Sequence, residues 1–313
     1  MLKKHAMRNR TSWRKVSAPA DRFHLEKHAT PWLMLAPALL GLSVFVLIPT
    51  LAIVGLSFTN WNLLTPHPHW TGLTNYRSVL TSVDFWNAME HTALYAAAVA
   101  IVILPASFGL AWILNAPLRG RHVYRMIVFL PYVMPLAASG IVFSGLLAPS
   151  TGLINMLLGR MHIAGPNWLG SVHWALISVI AVTIWEYLGF YMLLFLSGLQ
   201  QLNPALSEAA AIDGAGSWRQ FWHIILPQLI PTIVFAGVMV VIQTFQAFDQ
   251  IYVMTAGGPV TATTTLVYYI YEQGFQFFNV GQASTASVLF VLLIGAITVL
   301  QWRGMHRWGG DAS

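Results

Sequence analysis

The chain has 313 residues, 57% of them hydrophobic and only 8% charged. A water-facing globular surface carries about 25% charged residues, so this composition excludes an ordinary soluble domain and points to an integral membrane protein. The formal charge of +6 gathers ahead of the first apolar run, and the absence of cysteine excludes disulfides, thiolate chemistry and cysteine-based zinc sites.

The chain opens on a basic tail carrying Lys3, Lys4, Arg8, Arg10, Arg14, Lys15, Arg22 and Lys27. Beside a hydrophobic run such a tail reads as a cytoplasmic anchor on anionic lipid rather than a nucleic-acid arm. The run that follows exceeds the roughly 7–15 residues of a signal-peptide core, so it is expected to stay in the membrane. Six apolar stretches long enough to span as helices follow in order, at 32–58, 92–114, 126–148, 174–199, 229–248 and 284–302. A membrane β-barrel would show short alternating segments instead. The expected organisation is a tail over 1–31, a six-helix membrane domain over 32–302 and a short C-terminal tail over 303–313.

Basic residues orient the spans. Besides the tail, Arg119, Arg121, Arg125, Arg219, Arg303 and Arg307 fall on one side, leaving Arg77 and Arg160 of the 16 Lys and Arg on the other. The positive-inside rule places both termini in the cytoplasm. Three longer loops, 59–91, 149–173 and 249–283, are then external.

One cytoplasmic loop, over 200–228, is punctuated like a folded element. Asn203-Pro204 predicts a helix start, and Gly214 a left-handed helix end. Ser217 and Gln220 have capping-box spacing for a second helix, on which Trp218, Phe221, Trp222 and Ile225 form one stripe. Pro227 is expected to kink or break that helix. The residues alone leave two readings: an interfacial helix seated in lipid headgroups, or a helix presented to a groove on a cytoplasmic partner.

Glu208, Ala209 and Ala210, then Gly214, then Ile224, Leu226 and Pro227, resemble the signature loop of permease subunits of binding-protein-dependent ABC importers. The resemblance extends to GLTNYRSVL before the second span. YVMTAGGPVTATTTLVYYIYEQGF, beginning at Tyr252, is similar to the carbohydrate-uptake branch, and most like the A-type permease of glycerol-3-phosphate importers. The resemblance implies an all-α fold whose signature loop couples to an ATPase, with Glu208 at the contact, Asp213 beside it and Gly214 as the turn. It also implies a second, homologous permease, two ATPase subunits, an extracytoplasmic binding protein and a bacterial-type inner membrane as surroundings.

This chain is not expected to be an enzyme or to hold a cofactor. No lysine follows Lys27, so a P-loop is missing, and ATP with its Mg would belong to the ATPase subunits. His67 and His69 flank a proline in an external loop and read as solvated rather than metal-binding. For the solute path, Glu186 is an acid at membrane depth, where ionisable groups face protein or water. Tyr187, Phe190 and Tyr191 share its helix. Gln243, Gln246 and Gln250 at helical spacing, with Asp249, are expected to form an opposite wall or to glue helices. An acid in the path would favour a neutral sugar over glycerol-3-phosphate. Rival readings are an ion-coupled secondary transporter and a non-transporting membrane scaffold.

Overall fold

The computed structural model describes residues 22–65 and 67–309. The expected tails before Arg22 and after Gly309 lie outside them. The described residues are helical, with one isolated antiparallel bridge between Thr59 and Trp70.

Two units divide at Ala52. In the first, α1 (Arg22–Leu42) runs through a π turn (Ser43–Leu47) into α2 (Ile48–Leu56), giving one apolar span from Trp32 to Leu56. Between Trp32 and Ala52 no side chain is buried, so this stretch presents apolar surface all round, as a lipid-facing helix does. The π turn ends two residues before Pro49. Proline lacks an N–H and clashes with the carbonyl four residues back, and the wider turn lets the helix continue past it.

The second unit begins with the end of α2. Asn75, on α3 (Thr74–Thr81), is buried, and its amide donates to the carbonyls of Ser57 (2.9 Å) and Thr59 (2.7 Å). This satisfies acceptors that a helix end leaves open and explains the asparagine in GLTNYRSVL. Next, α4 (Val83–Asn115) is longer than the stretch expected from 92, because Ser82 caps it and Phe85 and Ala88 pack with Leu266 and Tyr269 in a small second core.

The third apolar stretch departs from expectation. Instead of one span over 126–148, the chain forms α5 (Arg121–Val133) and α6 (Leu136–Leu146), bent by 95°. Met134 lies between them with extended backbone (φ −76°, ψ 144°). It precedes Pro135, whose ring disfavours the helical region for its neighbour. The short α7 (Leu153–Arg160) leads to α8 (Val172–Gln200).

After α9 (Pro204–Ile212), α10 (Ser217–Gln220) passes through a π turn (Phe221–Ile225) into α11 (Leu226–Phe245). The second helix of the punctuated loop is therefore continuous with the fifth span, Ser217–Phe245, and Pro227 does not break it. As at Pro49, the π turn ends two residues before the proline. Then come α12 (Asp249–Met254), α13 (Leu266–Tyr271), a third π turn (Glu272–Gln276) and α14 (Val280–Gly309). Among the described residues, five helices are long and apolar enough to cross a membrane, six if the bent pair counts as one span.

The centre of the second unit is α8, half of whose most apolar stretch is buried. Tyr95, Val99 and Ile103 of α4 join Val179, Met192 and Phe195 of α8 in the main core. On its other side Gly189 lets α5 approach: a Cβ there would lie 2.2 Å from the Val128 carbonyl oxygen and 2.5 Å from Phe129 Cα. Both are backbone atoms, so relief requires moving a helix. Gly189→Ala should destabilise the protein by about 1–3 kcal/mol, seen as a lower Tm of the detergent-solubilised chain. Gly237→Ala, where nothing lies within 4 Å, should leave Tm unchanged or raised.

Candidate functional site

Two places carry polar chemistry: a seam along α8, and the punctuated loop at α9.

The seam begins with a chain of hydroxyls. Thr183 Oγ1 donates to the Val179 carbonyl (2.9 Å), so it accepts from the Tyr95 hydroxyl (2.8 Å). With its proton committed, the Tyr95 oxygen accepts from Gln250 Nε2 (2.6 Å). This order fixes the amide of Gln250, whose Oε1 points away and has no partner. Tyr95, Thr183 and Gln250 are all buried and come from α4, α8 and α12. Buried hydroxyls and amides joined across helices hold apolar spans in register.

Glu186 lies one turn further along α8 and is 1% exposed. Its Oε2 has no hydrogen-bond partner, and neither has the buried Ser139 Oγ of α6. In this conformation Glu186 stands inside the helix crossing, not on an open wall.

Beside it lies an aromatic wall. Tyr132, the last aromatic before the bend, stacks on Phe190 with centroids 4.8 Å apart and lies 5.8 Å from Tyr187. Phe190 meets Tyr191 edge-on at 5.1 Å, and the Tyr191 hydroxyl donates to Gln243 Oε1 (2.5 Å). Tyr187, Phe190, Tyr191 and Gln243 are thus brought together.

The glutamines do not form one stripe. Helix α11 ends at Phe245, Gln246 is its exposed C-cap, and Phe248 breaks the path with φ −136°. Gln250 belongs to a separate helix and turns into the core, while Asp249 is exposed. Helical spacing held only while the helix did. Tyr132, Tyr95 and Ser139 were missed. The signal for Tyr132 was PYVMP, two prolines bracketing a tyrosine; a lone Tyr95 or Ser139 in an apolar run carries none.

The loop is built largely as its punctuation implies. Asn203 Oδ1 accepts from the Ala205 N–H (3.0 Å), with Pro204 in the first turn. At the other end Gly214 has φ +79°, its N–H bonds the Ala211 carbonyl (3.1 Å), and the Ala215 N–H bonds Ala210 (2.9 Å). This is the paired closure of a left-handed glycine cap. Nothing lies within 4 Å of a Cβ at Gly214, so glycine is needed there for conformation alone. The capping box does not form. Gly216 is the N-cap of α10, and Gln220 Nε2 donates to the Ala215 carbonyl (2.8 Å) instead.

No residue of α9 is buried. Glu208, Ala209 and Asp213 are exposed, Ala210 is half-buried, and Ile212 is 87% exposed. Ile224 and Leu226 are half-buried along the π turn, and Pro227 is exposed. Phe221 anchors the loop to the end of α4, 5.4 Å from Trp112 and 6.1 Å from Phe108. Trp218, in the same expected stripe, is 75% exposed.

Residues 103–303 match the family described as binding-protein-dependent transport system inner membrane component. The chain is 34% identical over 276 residues to the sulfoquinovosyl glycerol transport system permease protein of Agrobacterium fabrum, covering 87% of this chain and 88% of that one. It is 31% identical over 278 residues to the sn-glycerol-3-phosphate transport system permease protein of the same organism, covering 88% and 94%. In fold it is similar to a chain of a bacterial alginate ABC transporter, crystallised with an alginate pentasaccharide-bound periplasmic protein. The TM-score is 0.79 at 23% identity, covering 91% of this chain and 96% of that one. By these sequence matches the chain belongs to the family of inner-membrane permease components of binding-protein-dependent transport systems.

Proposed function

We propose that this chain is one permease subunit of an ATP-driven importer for a sugar or a glycerol-phosphate-like solute. It pairs with a second, homologous permease. Two ATPase subunits, which bind the ATP and Mg, dock in the cytoplasm, and an extracytoplasmic binding protein delivers solute from the other side.

The observation that carries this reading is α9. A helix capped at both ends, with no buried residue and an 87% exposed Ile212, has been shaped but not packed. An amphipathic helix in a partner's groove supplies the missing burial. Glu208 is placed at that contact, and Gly214 is the turn that passes its movement to α11. Phe221 seats the loop at the end of α4 leading to Arg119, Arg121 and Arg125, which supports a cytoplasmic position for both under the positive-inside rule.

The wall of Tyr132, Tyr187, Phe190 and Tyr191 suits a carbohydrate, with aromatic faces against C–H surfaces and hydroxyls available to hydroxyls. Burial of Glu186 weakens the electrostatic objection to an anionic solute. The relatives, whose names specify sulfoquinovosyl glycerol and sn-glycerol-3-phosphate, keep both solute types in scope.

Reconstituted in nanodiscs with its genetic neighbours, the complex should hydrolyse ATP faster when one solute-loaded binding protein is added; that protein identifies the solute. Glu208→Ala should cut this stimulation roughly 5–150-fold, the range for a coupling free energy of about 1–3 kcal/mol, with the spans still folded by circular dichroism. Gly214→Pro, which cannot adopt φ +79°, should uncouple likewise. Survival of both transport and stimulation in these variants would contradict the role given to α9.

A further inference from the structure

At the end of the fifth span away from α9, aromatic side chains form a connected ladder. Phe248, the N-cap of α12, stacks on Tyr252 one turn later, with centroids 5.4 Å apart and planes at 22°. Tyr271 and Phe275, one turn apart where α13 passes into its π turn, stack at 5.6 Å and 26°. The two pairs are joined, since Tyr271 lies 5.2 Å from Phe248 and meets Tyr252 edge-on at 5.4 Å.

The ladder runs from the core outward. Phe248 and Tyr271 are half-buried and pack against the same core as Tyr187 and Phe190 of the aromatic wall. Tyr252 is 45% exposed and Phe275 69% exposed. One end of the ladder therefore continues the wall, and the other presents open ring faces.

Two observations separate the open end from a plain lipid-facing surface. Exposed polar groups accompany the rings: Asp249 lies three residues before Tyr252 on one face of α12, and Gln276 follows Phe275. An acid near a span faces water or protein rather than hydrocarbon. The π turn Glu272–Gln276 is the second observation. The other two wide turns each end two residues before a proline, but no proline follows this one. A wide turn without that local cause is a frequent mark of a functional site. Flat ring faces beside exposed hydroxyl, carboxyl and amide groups suit a sugar, whose C–H face stacks while its hydroxyls meet polar groups.

We propose that Tyr252, Tyr271 and Phe275 form a second sugar-stacking platform, which holds a pyranose ring before it reaches the wall at Tyr132. This rests on the import reading and narrows its solute class to one with a ring. Stacked ring faces supply area rather than fixed hydrogen bonds, so the platform recognises the ring and not its substituents. An open-chain solute gains nothing from it.

The chain has no cysteine, so an introduced thiol reports on one place. Asp249→Cys and Gln276→Cys, at exposed positions on the two helices, leave the rings intact. In the full permease complex in nanodiscs, without ATP or binding protein, each should react with a charged thiol reagent that lipid excludes, read as a mass shift of this chain. Maltotriose and lactose at high millimolar concentration should slow the reaction several-fold. Sorbitol, which has the hydroxyls but no ring, should not. Adding Phe275→Ala should remove the protection, and Phe275→Trp should keep it. Thiols that stay silent in the complex would place the ladder in lipid or against another subunit and overturn the proposal. Labelling that neither sugar slows more than sorbitol would overturn it as well. The labelling needs no turnover, so absent ATPase stimulation counts against the import reading alone.

Discussion

In a bilayer, a backbone amide that leaves its helix finds no water to bond. Helices can therefore break at membrane depth only where protein covers the break. This chain breaks twice beside α8, at Met134-Pro135 and between Phe245 and Asp249. The second halves, α6 and α12, turn toward each other and meet at Gly140, where a Cβ would lie 3.3 Å from Val253 Cγ1. The polar side chains of the seam line up along the same crossing. Tyr95, Thr183, Glu186, Ser139 and Gln250 stand where the polypeptide gives up regular spans, and the aromatic wall begins at Tyr132, the residue the first break exposes.

The second break joins the seam to the exposed loop. From Ser217 to Phe245 the chain is one helix, kept continuous through Pro227 by a π turn. Its start follows the Gly214 turn, and near its end Gln243 is bonded to Tyr191. The rod thus runs without interruption from the loop to the aromatic wall. The wide turns before Pro49 and Pro227 are thus structural solutions to one local problem.

Much of this was legible in the sequence, for physical reasons. Asn203-Pro204 and Gly214 act through their own backbone neighbours, so local spelling was enough to place both ends of α9. The apolar runs report the bilayer's thickness, so the places of the five long apolar helices were legible as well. The bend after Val133 was written in PYVMP, but an apolar run averages over it. The glutamine stripe failed because helical periodicity was extended past a break with no proline to mark it. Ser217 failed as a cap because Gly216, with no side chain to anchor, took the position and freed Gln220 to reach Ala215. Tyr95 joins the seam only through Thr183 and Gln250, far away in sequence, which no local pattern records.

The central claim is that the third apolar stretch is bent so that α6 packs on α12. The chain has no cysteine, so one engineered pair can be read without background. A Cβ built at Gly140 lies 3.4 Å from Val253 Cβ, close to the roughly 3.5–4.5 Å that a disulfide spans. Gly140→Cys combined with Val253→Cys, oxidised in native membranes, should form an intramolecular disulfide detectable as a reducible shift on a denaturing gel. Absence of the cross-link, with both single variants folded and labelled by a thiol reagent, would contradict the bent arrangement and the site built upon it.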